Sequence, residues 1–189
     1  AMTDYDMPIW VHPTRGMESS DYTSEDESLY EIWWTLGWPY DTSVFMARMV
    51  ISGLFDRLLD IKIITHHMGA MIPFFEGRVG PSWDQIGKRT VKYDYAALLD
   101  KHKKRPLDYF KMFYADTAMF GSRAGTVCGL DFFGIDKAVF ASDAPSDPEG
   151  GTMYIRDTIK VIDSLDISDE DRKKIYHDNA AKLMKLNGN

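Results

Sequence analysis

Three residues of metal-binding type each close an apolar run of strand length: His12, His67 and Asp143. They stand in Ile9-Trp10-Val11-His12-Pro13, in Ile63-Ile64-Thr65-His66-His67-Met68-Gly69, and in Val139-Phe140-Ala141-Ser142-Asp143-Ala144-Pro145. Apolar runs bounded by turn signals read as buried strands. Side chains at the carboxyl ends of parallel strands converge on one mouth, where barrel enzymes keep their chemistry. Imidazole and carboxylate together suit a divalent cation such as zinc or manganese. His66 and His67 are adjacent, so on a strand end they are expected to point to opposite sides.

The elements that must position these residues form four strand-then-helix units. The first strand is expected at Met7 to Val11, followed by an acidic loop, Glu18 to Glu27, and a helix at Leu29 to Leu36. Thr42 then reads as the cap of a helix reaching Leu59, with Phe45, Met49, Ile51, Leu54 and Leu58 near helical spacing. The second strand, Lys62 to Thr65, is β-branched-rich and leads past Pro73 to a helix from Phe74 to Val79. The polar, basic stretch Gly80 to Arg105 carries a candidate helix at Tyr95 to His102. Pro106 opens a short helix before the third strand, Phe113 to Ala115. A helix at Ser122 to Phe132 leads to the fourth strand, Ala138 to Ala141, and two helices follow, Gly151 to Ser164 and Ser168 to Leu186. Ser168 with Asp171 has the form of an N-cap and its acidic partner.

Strand and helix in alternation predict a parallel α/β sheet. Four such units are half of an eight-stranded barrel, whose usual length is about 250 residues. An open four-stranded sheet leaves two long edges, which proteins normally protect. A partner half is therefore expected, outside this chain or supplied by another copy.

At 189 residues the chain can bury one real core. A net charge of −7 removes the electrostatic case for nucleic acid or an anionic membrane. No apolar run approaches the roughly 20 residues of a membrane span. The start, Ala1-Met2-Thr3-Asp4, has neither the basic nor the apolar region of a signal peptide. The single cysteine, Cys128, excludes an internal disulfide and fits a reducing cytosol, so a cytoplasmic protein with a buried structural thiol is expected.

Five motifs in order carry a resemblance. They are Trp10-Val11-His12-Pro13; His67-Met68-Gly69-Ala70-Met71-Ile72-Pro73 with Arg78; Tyr109-Phe110-Lys111 leading to Tyr114-Ala115-Asp116-Thr117-Ala118; Ala141-Ser142-Asp143-Ala144-Pro145; and Ile175-Tyr176-His177-Asp178-Asn179-Ala180-Ala181-Lys182-Leu183. Over nearly the whole chain this resembles the amidohydrolase-related family of metal-dependent decarboxylases and hydrolases. That family includes aminocarboxymuconate-semialdehyde decarboxylase and the resorcylate-type decarboxylases. The resemblance implies a distorted (β/α)₈ barrel, of which residues 1–189 form a single domain holding the fifth to eighth strands, the C-terminal half. The family's first-strand pair of metal ligands, His-x-His or Glu-x-His, has no counterpart among His12, His66, His67, His102 and His177.

The resemblance also assigns roles. His12 and Asp143 match metal ligands, zinc or manganese, and Asp143 also handles a proton. His67 matches the catalytic histidine that polarises substrate or water or passes a proton, as imidazole does most readily near neutral pH. His66 is then packed or supports the site from behind, as does Asp116. Arg78 matches an arginine that grips substrate carboxylate, in some relatives across a dimer interface; a solvated surface arginine is the other reading. Trp38, with Trp33 and Trp34, lines the substrate pocket or else serves as core or dimer contact. His102, among Lys101, Lys103 and Lys104, reads as a solvated face, and His177 as structural.

The function so implied is a metal-dependent carbon–carbon lyase removing carbon dioxide from a small aromatic or muconate-like carboxylic acid, working as a homodimer. The alternatives are a hydrolase or hydratase on the same site, or an inactive half-barrel lacking the first-strand ligands.

Overall fold

Strands β1 (Ile9–Val11), β2 (Ile63–Thr65), β3 (Tyr114–Asp116) and β4 (Ala138–Val139) lie side by side in chain order, and every neighbouring pair is parallel. The computed structural model describes residues 1–90 and 92–186. The register sets Trp10 beside Ile64, Ile64 beside Tyr114, and Asp116 beside Val139. These residues share one face of the sheet, because side chains alternate along a strand. Ile63, Ala115 and Ala138 face the other way, into a core with Met46, Val50, Phe55, Phe110, Phe113, Phe132, Phe133, Ile162 and Ile175.

That core is closed by helices from every crossover. Helix α1 (Met2–Tyr5) precedes β1. Between β1 and β2 lie α2 (Ile32–Thr35), α3 (Gly37–Ile51) and α4 (Leu54–Arg57). Between β2 and β3 lie α5 (Glu76–Trp83), α6 (Ala96–Leu99) and α7 (Pro106–Phe110). Helix α8 (Arg123–Phe133) joins β3 to β4, and α9 (Thr152–Asp163), α10 (Asp169–Lys173) and α11 (Asn179–Leu183) end the fold. A π-helical turn, Lys174–Asp178, links the last two. Helix α11 lays Leu183 against Ile64 and Val139 on the first face of the sheet.

Several boundaries move from their sequence expectation. The strands are shorter: β1 starts at Ile9, and β4 stops at Val139 because the Phe140 N–H turns away to the Ile175 carbonyl at 3.0 Å. Thr42 is not a cap. It is buried in the middle of α3, which starts at Gly37 and breaks before Gly53, whose φ is 71°. Helix α5 runs beyond Val79 through Pro81, whereas the expected helix at Tyr95 to His102 shrinks to Ala96–Leu99. His102 is half-buried instead of solvated; its ring nitrogens meet the Leu98 and Val50 carbonyls at 2.8 and 3.1 Å. Cys128 is likewise half-buried, on α8. Ser168 does cap α10, accepting the Asp171 N–H at 3.1 Å.

Candidate active site

Strand periodicity builds the first part of the site. Trp10 and His12 are two residues apart, as are Ile64 and His66, and Trp10 pairs in register with Ile64. His12 and His66 therefore arrive level just past the carboxyl ends of β1 and β2, with ring centroids 4.9 Å apart. Alternation then fails. His67 and Met68 take left-handed backbone, with φ of 54° and 51°. This turn brings the His67 ring to 3.7 Å from that of His66, at the same mouth. The expectation that the two histidines point to opposite sides is thus corrected: it holds only where a strand continues, and β2 ends at Thr65.

Asp143 reaches the mouth from the loop after β4, with φ of 66°. Its Oδ1 is 3.1 Å from His66 Nε2, and its Oδ2 is 4.0 Å from His67 Nε2. His12, His66 and Asp143 each offer one donor atom, and the three atoms lie within 4.8 Å of one another. Such a donor set fits a divalent cation.

Beneath this cluster, Asp116 is completely buried. Its Oδ2 accepts from His66 Nδ1 at 2.6 Å and from Trp10 Nε1 at 2.9 Å. Its Oδ1 accepts the backbone N–H groups of His67 and Ala118 at 3.0 and 3.1 Å. Four donors satisfy a charge that burial would otherwise make costly.

These contacts set the charges. Burial alone would depress His66, yet hydrogen bonds to Asp116 and Asp143 outweigh it and push its pKa up to about 9. Burial would raise Asp143, but His66 and His67 hold it far below the usual carboxylate range. His67 moves the other way. Burial, with the neighbouring His66 adding to it, keeps it below the ordinary imidazole value. It is 7% exposed, and neither ring nitrogen has a hydrogen-bond partner among the described residues.

His67 and Asp143 open onto a cavity of about 550 Å³ walled by Trp33, Trp34, Trp38, Phe120 and Tyr154. Trp38 stands edge-on to His12 at 5.1 Å and donates its indole N–H to the Arg15 carbonyl at 2.9 Å. Phe120 stands edge-on to His67 at 5.2 Å. No lysine or arginine lines this cavity among the described residues. Arg78 lies elsewhere, in a second cavity with Arg48, Lys88 and Arg89. The fold therefore gathers His12, His66, His67, Asp116, Asp143 and Trp38 and leaves Arg78 apart. Sequence reasoning missed Trp10, Phe120 and Tyr154. The shared two-residue step in Trp10-x-His12 and Ile64-x-His66 was the available signal for the first.

Comparison with known proteins gives the family. The Amidohydro_2 family, described as amidohydrolase, matches residues 1–186. The chain belongs to the amidohydrolase family. This amidohydrolase chain is 31% identical over 187 residues to gamma-resorcylate decarboxylase of Polaromonas sp. strain JS666, covering 96% of the chain and 52% of that relative. It is 23% identical over 137 residues to 2-amino-3-carboxymuconate-6-semialdehyde decarboxylase of Dictyostelium discoideum, covering 72% and 34%. Among solved structures it resembles a dihydroxybenzoic acid decarboxylase from Polaromonas sp. JS666 with bound manganese and the inhibitor 2-nitroresorcinol. That match has a TM-score of 0.74 at 28% identity and covers 100% of this chain and 52% of the other. The amidohydrolase chain thus spans about half the length of the relatives it matches, and its four parallel strands are those of a partial barrel.

Proposed function

We propose that the protein to which this chain belongs is a metal-dependent decarboxylase of an aromatic or muconate-like carboxylic acid, and that residues 1–189 supply the second half of its barrel. His67 carries the reading: a buried imidazole whose ring nitrogens have no hydrogen-bond partner among the described residues, facing an aromatic-walled cavity beside a cluster of metal-type donors. The kinship with decarboxylases of resorcylate and aminocarboxymuconate semialdehyde supports it.

His12 and Asp143 would hold the metal, zinc or manganese. When bound, such a cation polarises substrate oxygens. The chain's own residues do the rest. Trp38 and its aromatic neighbours bind the flat face of the acid and exclude water. The carbon–carbon bond to the carboxylate breaks, carbon dioxide leaves, and the carbon that keeps the electron pair takes up a proton. His67 would first take up a proton from the bound acid and then pass it to that carbon, with the Asp143 carboxylate 4.0 Å away to steady the imidazolium. Asp116 and His66 hold this pair in place. Arg78 lies outside the cavity of its own copy, so its proposed role, gripping a second carboxylate, requires a dimer that presents it to the neighbouring copy. A reducing cytoplasm fits the lone thiol Cys128.

The test is carbon dioxide release by the whole protein, loaded with manganese or zinc, from a panel of hydroxybenzoates and muconate-type acids. Release that falls about 10²–10⁴-fold in His67→Ala is expected. Water addition or lactone opening without carbon dioxide would move the assignment to a hydratase or hydrolase. Inertness toward the whole panel would overturn it.

A further inference from the structure

We infer that His66 is itself a metal ligand, so that this chain builds a three-donor site, His12, His66 and Asp143, with Asp116 as the carboxylate that orients His66. The inference rests on the metal-dependent reading above and goes further, for it names a ligand that neither the family resemblance nor the comparisons assign.

Four observations carry it. First, the donor atoms of His12, His66 and Asp143 lie within 4.8 Å of one another. Donors bound at about 2.0–2.2 Å stand no more than about 4.4 Å apart, so the widest such spacing closes by a few tenths of an ångström when a cation binds. Second, the ring of His66 is held as a ligand ring must be. Its Nδ1 meets Asp116 Oδ2 at 2.6 Å, which leaves Nε2 aimed at Asp143 Oδ1, 3.1 Å away. A ligating histidine almost always donates its other N–H to a carboxylate or carbonyl in this manner. Third, His12 follows the same pattern. Its Nδ1 is tied to the Pro13 carbonyl at 2.6 Å, which leaves Nε2 as the free nitrogen. Fourth, Asp116 is locked by three further donors, Trp10 Nε1 and the N–H groups of His67 and Ala118, so it cannot swing away from His66. His67 shows the opposite design. Among the described residues no carboxylate lies within hydrogen-bond range of its ring, and it opens onto the aromatic cavity. One histidine of the pair is braced for a cation and the other is left free for substrate.

His66 gives this chain a third donor, and three protein ligands with an open position suffice for a catalytic zinc.

The experiment is cobalt binding to the purified, metal-stripped chain, followed by the visible absorption of the bound ion. The expected result is one ion per chain, an affinity reduced at least about 100-fold in His66→Ala, and an affinity within about threefold of the parent in His67→Ala. Asp116→Asn, a positioning variant, should weaken binding about 10–100-fold while the ion remains bound at high concentration. Because His66→Ala removes a buried group and can unfold, copper bound to the unaltered chain is measured as well. Spin-echo spectroscopy then counts coordinated imidazoles, and two are expected. A single imidazole, unchanged affinity in a folded His66→Ala, or no cobalt binding by the parent chain would each overturn the inference. Loss of binding in His67→Ala with none in His66→Ala would make His67 the ligand. None of these results touches the decarboxylase reading, which stands or falls on carbon dioxide release by the whole protein.

Discussion

Trp10 and Asp116 are 106 residues apart in sequence, yet the Trp10 indole donates to Asp116 Oδ2 at 2.9 Å. The same oxygen receives His66 Nδ1 at 2.6 Å. An exposed-edge strand residue thus steadies the carboxylate that steadies the site. Trp10→Phe keeps the ring and removes the donor. It is expected to cost roughly 1.5–3 kcal/mol, the worth of a hydrogen bond to a charged group. Urea denaturation measures this, and an unchanged midpoint would show that Asp116 needs no help from Trp10.

Asp116→Leu should be far more damaging. It strands the N–H groups of His67 and Ala118 and leaves His66 with one carboxylate fewer. Breaking a buried charged network on one side costs about 3–5 kcal/mol. Thermal unfolding followed by circular dichroism should show a large drop in midpoint or no folded protein at all. A small drop would mean the network relaxes around the change.

Two glycines at positive φ should differ in their tolerance of alanine. At Gly69, φ is 73° and a Cβ would fall 2.6 Å from the Phe133 ring, so strain and overpacking add to about 2–4 kcal/mol. At Gly134, φ is 81° with open space around it, so only strain of roughly 1–2 kcal/mol applies. Equal losses in denaturation of the two variants would show that Phe133 moves aside freely.

Trp38→Ala opens one wall of the cavity and frees the Arg15 carbonyl. Binding of a hydroxybenzoate, read by quenching of the remaining tryptophans in the metal-loaded whole protein, should weaken by about tenfold, as expected for loss of roughly 1–1.5 kcal/mol of aromatic contact. Trp38→Phe should recover most of it. Unaltered affinity in Trp38→Ala would remove Trp38 from the substrate wall.

Cys128 has its thiol pKa raised by burial, with Asp131 and Glu76 adding to the effect. A raised thiol pKa means less thiolate at neutral pH, and the thiolate is what reacts. Alkylation at pH 7 should therefore run slower than that of a free cysteine, and its rate should climb with pH beyond the point where a free thiol levels off. A rate equal to that of the free amino acid would show that the thiol is more open than the fold places it.

The order of strands and helices was legible because it rests on local signals. Apolar runs such as Ile9–Val11 and Ile63–Thr65 end at Pro13 and Gly69, and Ser168 marks the start of α10 through its own hydroxyl. Helix limits were less legible where packing outweighs propensity. Thr42 looks like a cap in sequence but sits inside α3, because the helix buries it and continues back to Gly37. Arg78 lies five residues after Pro73, yet no spacing rule says which of two cavities a helix faces.

The sequence by itself determined that His12 would stand at a strand end and Asp143 in the turn after one, since such termini are set by neighbouring turn residues and by alternation along a few bonds. It also determined the family, through five short motifs in order. Only the tertiary structure decided which of the adjacent histidines meets His12. That choice depends on the β1–β2 register, on the left-handed backbone at His67 and Met68, and on Asp116 arriving from a strand 50 residues beyond His66. Each of these is fixed by contacts between distant segments, and a left-handed residue other than glycine persists only where such contacts hold it.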